Sequence, residues 1–139
     1  RTEGRFHPQE VLEILSKQRI TTCQFVPTTI NAMLQTKKLG KYDLSRLRLI
    51  IYAASPMPVE LLKKAMNTFT CQFVQMYGQT ETGPCTTALK SEDHMLGGSK
   101  AQMARLASAG RAVFNYEIRI IDGMGNDVAT GAVRPARLR

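Results

Sequence analysis

The sequence predicts an α/β fold class: a parallel-sheet, three-layer segment followed by the start of an antiparallel β subdomain. Three observations carry this expectation. Helical and strand-like patterns alternate from Pro8 to Met76, the run Leu47–Ala54 is almost wholly apolar, and Tyr116–Ile121 alternates in polarity ahead of a Gly-containing turn. Helices alternating with buried strands build parallel sheets through right-handed crossovers. Strict alternation is instead the mark of a half-exposed strand in an antiparallel unit.

Pro8 in a first turn and Glu10 near the positive helix end predict a helix start. Val11, Leu12, Leu15 and Gln18 follow a helical spacing, with Ile14 beside them, and the helix is expected to run to about Lys17. Ile20–Val26 is partly β-branched and reads as a strand that Pro27 ends, and Thr28–Leu34 suits a second helix. Lys37–Arg46 is a polar connection containing Gly40. Leu47–Ala54 is the strongest strand signal, and its apolar run suits burial on both faces. Ser55–Pro58 turns the chain into the amphipathic helix Val59–Met66. Cys71–Met76 is strand-like and leads into a turn at Tyr77–Glu81. Organisation changes after about Leu89. Ser91–Lys100 reads as a surface loop, with a helical turn over Ala101–Ala107, the strand Tyr116–Ile121 and the turn Asp122–Asn126. Residues 1–89 are therefore assigned to the α/β part and 90–139 to a loop and the beginning of a β-rich subdomain.

At 139 residues the chain is long enough for one cored domain. Its apolar fraction of 43 % and charged fraction of 22 % are those of a globular chain. No window approaches the length of a transmembrane span, and the start Arg1-Thr2-Glu3-Gly4 resembles an internal cut rather than a signal peptide. Three cysteines, Cys23, Cys71 and Cys85, form no CxxC pair. Free thiols in a reducing cytoplasm are the expectation, not a metal site. The formal charge of +8 could serve nucleic acid, but the basic residues are dispersed and Trp is absent. No aromatic interleaving provides a base-stacking surface. A polyanionic substrate or cofactor fits the same charge, and nucleic acid is not the expected partner.

In a parallel α/β sheet, ligands bind outside the carboxyl ends of the strands. Two such ends stand out. Ala53-Ala54-Ser55-Pro56 offers small side chains that let something flat approach, although a plain strand-to-helix turn needs no ligand at all. Tyr77-Gly78-Gln79-Thr80-Glu81-Thr82-Gly83 gathers an aromatic face, two glycines, hydroxyl and amide groups, and one carboxylate. Gly78 permits close approach of a substrate, Thr80 can donate to a phosphate oxygen, and Glu81 can hold a hard cation such as Mg²⁺.

Tyr77-Gly78-Gln79-Thr80-Glu81 also resembles the Tyr-Gly-x-Thr-Glu motif of the adenylate-forming enzymes, the family of acyl- and aryl-CoA ligases, luciferases and peptide-synthetase adenylation domains. Its neighbours resemble the family in order. They are Phe6-His7-Pro8 with Val11-Leu12-Glu13, then Val26-Pro27-Thr28, then Ile51–Pro58, then Gly110-Arg111 followed by Glu117–Asp122 and Gly125. The resemblance runs from about Phe6 to Gly131.

That resemblance implies ATP-dependent activation of a carboxylic acid as an acyl-adenylate, then transfer to a thiol, usually coenzyme A. It implies that Ala53, Ala54 and Ser55 line one side of the adenine, with Tyr77 stacked on the other and Gly78 and Gln79 beside them. Thr80 would contact the α-phosphate and Glu81 would bind Mg²⁺, making these two the catalytic pair. Val26, Pro27, Gly78 and Gly83 would wall the acyl pocket. The family's upstream phosphate loop, its ribose-binding aspartate and its C-terminal lysine domain have no counterpart in these residues. A central fragment, inactive alone, is therefore expected. Two departures stand out: Ala53 replaces a common glycine, and Ala132-Val133-Arg134-Pro135 leaves the family pattern. Tyr52–Val59 looks most like fatty-acid and related acyl-CoA ligases. An amino-acid or aryl-acid adenylation domain, or a nonenzymatic nucleotide-binding or interaction module, is the alternative.

Overall fold

The computed structural model describes residues 6–129 and Gly131. The departure at residues 132–135 lies outside them. Four α-helices and five strands follow in the order α1 (Pro8–Lys17), β1 (Thr22–Phe25), α2 (Pro27–Leu34), β2 (Leu49–Tyr52), α3 (Val59–Phe69), β3 (Gln72–Gln79), β4 (Gly83–Leu89), α4 (Lys100–Ala104) and β5 (Arg111–Ala112). Spatial order follows chain order. β1, β2 and β3 are parallel, while β4 and β5 join antiparallel.

Local chemistry explains the boundaries. Pro8 and Pro27 occupy first helical turns, where a missing N–H costs nothing. Arg19 and Thr70, at φ 52° and 48°, take left-handed conformations that turn the chain out of α1 and α3. Strand register then fixes which side chains face inward. Cys23 pairs with Ile50, and Ile50 with Phe73, so the three lie side by side on one sheet face.

Against that face pack Leu12 and Leu15 of α1, Ile30 and Met33 of α2, and Leu62, Ala65 and Phe69 of α3, forming one core with Ile50, Tyr52 and Phe73. The alternate residues Leu49, Ile51, Val74 and Met76 point to the other face and are half-buried. A second helical layer, which the apolar run of β2 leads one to expect, is not among the described residues. Cys23, Cys71 and Cys85 are free and half-buried. Burial pushes the Cys23 thiol up to about 12 and that of Cys71 up to about 11, so both stay protonated at neutral pH.

Two expectations need correction. Cys71–Met76 continues as a strand to Gln79, because β4 lies antiparallel beside it and pairs Tyr77 with Thr87 and Gln79 with Gly83. The turn shrinks to Thr80–Thr82. Tyr116–Ile121 does not form a ladder among the described residues. A single antiparallel bridge joins Ile121 to Asp127 around the expected Asp122–Asn126 turn. Alternating polarity marks a segment that can pair, but a strand exists only where a partner supplies the hydrogen bonds.

Candidate active site

Because β2 and β3 are parallel neighbours, with Tyr52 opposite Gln75, the chain leaves both at the same end of the sheet. The two turns singled out in the sequence therefore lie side by side. Between them is a cavity of about 330 Å³ lined by Ala54, Ser55, Pro56, Tyr77 and Gly78, with Leu106–Ala109 as its far wall. A wider cleft of about 500 Å³ adjoins it, lined by Gln24, Ala53, Gln79, Thr80, Gly83 and Pro84. Ala54, Met76 and Gly78 belong to both. Glu81 is exposed at the hairpin tip, just beyond the cleft. Val26 and Pro27 are not in either lining. Val26 precedes α2 and is 38 % exposed, while Pro27 is buried in the first turn of that helix. Gln24 of β1, which the sequence did not single out, lines the cleft instead.

The tip is built by groups other than Thr80 and Glu81. The Thr82 N–H donates to the Gln79 carbonyl at 3.2 Å, and the Gln79 N–H donates to Thr82 Oγ1 at 3.3 Å. Gly83 supplies the φ of 90° that starts β4. Thr86 Oγ1 donates to the Tyr77 carbonyl at 3.1 Å. The Gln79 side-chain amide donates to Tyr77 Oη at 2.9 Å, holding the ring by its hydroxyl. Among the described residues, neither Thr80 nor Glu81 has a side-chain hydrogen bond, and Glu81 has no ion pair.

Gly78 owes its identity to the fold. β4 carries a bulge opposite it, and a Cβ there would sit 2.5 Å from the Pro84 carbonyl carbon and 2.7 Å from its oxygen. Close approach by β4 already requires the glycine, whatever a substrate requires.

The other turn contains strain. Ala54 has φ 71°, a left-handed conformation that costs a residue with a Cβ roughly 1 kcal/mol or more. Ala54→Gly is therefore expected to raise stability by about 1 kcal/mol, measured by denaturant unfolding. A fall in stability would show that the Ala54 methyl makes packing that outweighs its strain.

A buried polar chain leads from this end of the sheet to His94, a residue outside both sequence-marked turns. His94 is 8 % exposed. Its Nδ1 lies 2.8 Å from the Lys90 carbonyl and its Nε2 3.0 Å from Tyr52 Oη. A carbonyl only accepts, so Nδ1 carries the proton and Nε2 accepts from the tyrosine. Gln75 Oε1, on β3 beside the cavity, is 3.4 Å from the same hydroxyl. No motif spacing announces this chain, since its members come from three separate segments.

Burial lowers the His94 pKa from its ordinary 6.5. The unfolded chain therefore takes up a proton below pH 6.5 that the folded chain resists, and stability falls as pH drops from 6.5 toward the lowered value. His94→Gln is expected to flatten that acid-side loss in unfolding midpoints measured across the range. An unchanged slope would remove His94 as its source.

The family model described as AMP-binding enzyme matches residues 1–133. A fatty acid–[acyl-carrier-protein] ligase of Streptomyces coeruleorubidus is 32 % identical over 92 % of this chain and 24 % of its own length. A medium/long-chain-fatty-acid–CoA ligase of Mycobacterium tuberculosis is 34 % identical over 94 % of this chain and 22 % of its own. Among solved structures, an anthranilate CoA ligase in complex with anthranoyl-AMP superposes with a TM-score of 0.77. It is 26 % identical and matches 90 % of this chain and 22 % of that one. The chain thus spans less than a quarter of the length of these curated relatives.

Proposed function

The chain belongs to the AMP-binding enzyme family, and from that premise we propose that it is the nucleotide-facing centre of a longer, cytoplasmic ATP-dependent acid–thiol ligase. In this reading the parent protein converts a fatty or related acyl acid to acyl-AMP and transfers the acyl group to coenzyme A. The observation that carries it is the free state of Thr80 and Glu81. They stand at the rim of a cleft, on a hairpin tip whose hydrogen bonds are all made by other groups. Their side chains do not hold the turn, so they are free to meet a ligand.

The substrate carboxylate attacks the α-phosphate of ATP, forming a new P–O bond while the bond to pyrophosphate breaks. Negative charge grows on the phosphate oxygens as it does so. The Thr80 hydroxyl donates to an α-phosphate oxygen, and such a donor counts most where charge develops. Adenine enters the smaller cavity, with Ala54 and Ser55 on one side and Tyr77 on the other, while Ala53 meets it from the adjoining cleft. Gln79 acts through Tyr77, whose hydroxyl it holds. Gly78 and Gly83 wall the wider cleft on the acyl side, with Val26 and Pro27 behind the end of β1.

Mg²⁺ keeps several waters and typically takes one or two carboxylates plus substrate phosphates. An unpaired Glu81, with no group of three potential metal ligands among the described residues, fits that pattern rather than an all-protein cage. When bound there, the ion supplies countercharge to the phosphates. The formal charge of +8 suits two polyanionic substrates, ATP and coenzyme A. No helix among the described residues is long and apolar enough to cross a membrane.

Transfer to a carrier-protein thiol is the second reading, favoured by the Streptomyces relative. The test is acid-dependent ATP–pyrophosphate exchange by the parent protein across fatty, aryl and amino acids, then thioester formation with coenzyme A or a phosphopantetheinyl carrier. Fatty-acid-dependent exchange and an acyl-CoA product are expected. Exchange with amino or aryl acids alone would overturn the acyl-acid assignment. Nucleotide binding without exchange would leave only the nonenzymatic alternative.

A further inference from the structure

The hairpin tip is also held from outside, by a residue to which the proposed reaction gives no part. Tyr116 Oη donates to the Thr82 carbonyl at 2.8 Å, one residue beyond Glu81. Among the described residues this is the only hydrogen bond joining residues 80–83 to chain outside the β3–β4 hairpin. The delivery of Tyr116 is specific. β5 pairs with β4, the Tyr116 N–H donates to the Val113 carbonyl at 3.1 Å, and Asn115 turns the chain at φ 70°.

The contact is close as well as polar. A Cβ at Gly83 would sit 2.9 Å from the Tyr116 hydroxyl, so the glycine leaves the space the hydroxyl occupies. Inside the hairpin, the two bonds between Gln79 and Thr82 and the pairing of Gln79 with Gly83 support the tip. The Glu81 side chain, having no partner among the described residues, is aimed by its backbone alone. Whatever fixes the Thr82 carbonyl therefore restrains the backbone from which the Glu81 carboxylate reaches.

We propose that Tyr116 is a positioning residue for the metal-binding tip, holding Glu81 toward the phosphates through its bond to the Thr82 carbonyl. The inference rests on the reading of Glu81 as the Mg²⁺ ligand. A purely structural Tyr116 would make a different prediction: lower thermal stability, with adenylate formation and thioester formation reduced together.

Tyr116→Phe in the full-length parent enzyme removes the hydroxyl and keeps the ring. Two readouts are needed. In the metal-free protein, hydrogen–deuterium exchange over residues 79–83 is expected to quicken about five-fold, the factor that loss of one ordinary hydrogen bond would give. The Mg²⁺ concentration for half-maximal pyrophosphate exchange is expected to rise by about the same factor. Thioester formation from supplied acyl-adenylate should stay near wild type. Unchanged amide exchange and an unchanged Mg²⁺ requirement would overturn the inference, as would parallel loss of both half-reactions. A Glu81→Gln control separates the two levels. If it raises the Mg²⁺ requirement while Tyr116→Phe does not, only the role of Tyr116 falls. If Glu81→Gln leaves that requirement unchanged, the metal reading itself fails and this inference with it.

Discussion

A Glu81→Gln parent enzyme is expected to carry out ATP–pyrophosphate exchange roughly 10²–10³ more slowly than wild type, the usual cost of one well-placed electrostatic contact in the transition state. Glutamine keeps the size of the side chain and removes the charge. Because Glu81 is exposed and unpaired among the described residues, the change breaks no bond that holds the fold. The thermal midpoint should therefore stay close to wild type, which separates a ligand role from a turn-fixing one. Thioester formation from supplied acyl-adenylate should be nearly untouched, since pyrophosphate, which carries most of the charge to be neutralised, has already left. Near-normal exchange with an unaltered Mg²⁺ dependence would remove the metal role from Glu81.

How far the sequence discloses this arrangement depends on whether a feature is local. The first three helices and the three parallel strands come from patterns within ten or so residues: apolar spacing, first-turn prolines and a buried run. Their packing then brings the Ala53–Pro56 turn to the Tyr77–Glu81 segment, as the rule about carboxyl strand ends anticipates. β4 was not legible, because Gly83-Pro84 opens it as a turn would, and its strand character comes from pairing with β3. The same dependence on a partner made Tyr116–Ile121 look more regular than it is.

Side-chain roles divide in the same way. Tyr77, Thr80 and Glu81 form a short, unusual string and draw attention by composition. Gln24, His94 and Leu106 reach the site or its support from distant segments, and each is an ordinary residue in its own stretch. Their relevance arises from register and folding back, which no window of sequence contains. Tyr116 was visible, but as one residue of an expected strand. Its bond to Thr82 spans 34 positions and depends on a left-handed Asn115.

Gly78 brings the largest expected loss of stability. Gly78→Ala should destabilise the parent protein by about 3 kcal/mol, at the upper end for forcing one methyl group into a packed position. The added Cβ would meet Pro84 backbone atoms at 2.5 and 2.7 Å, and backbone atoms have no rotamer by which to swing aside. The flanking pairs Tyr77–Thr87 and Gln79–Gly83 hold both strands, so relief requires β3 and β4 to part around the bulge. Parting them would move the tip that carries Thr80 and Glu81 and would open the wall shared by both cavities. Loss of activity alone could not distinguish this from a substrate that needs the bare backbone. Thermal unfolding without nucleotide does distinguish them, because a clash with β4 is present whether or not ATP is bound. A Gly78→Ala protein that melts like wild type but fails to form adenylate would assign the glycine to substrate approach. One that melts far earlier in the absence of any ligand would assign it to the crossing of β4.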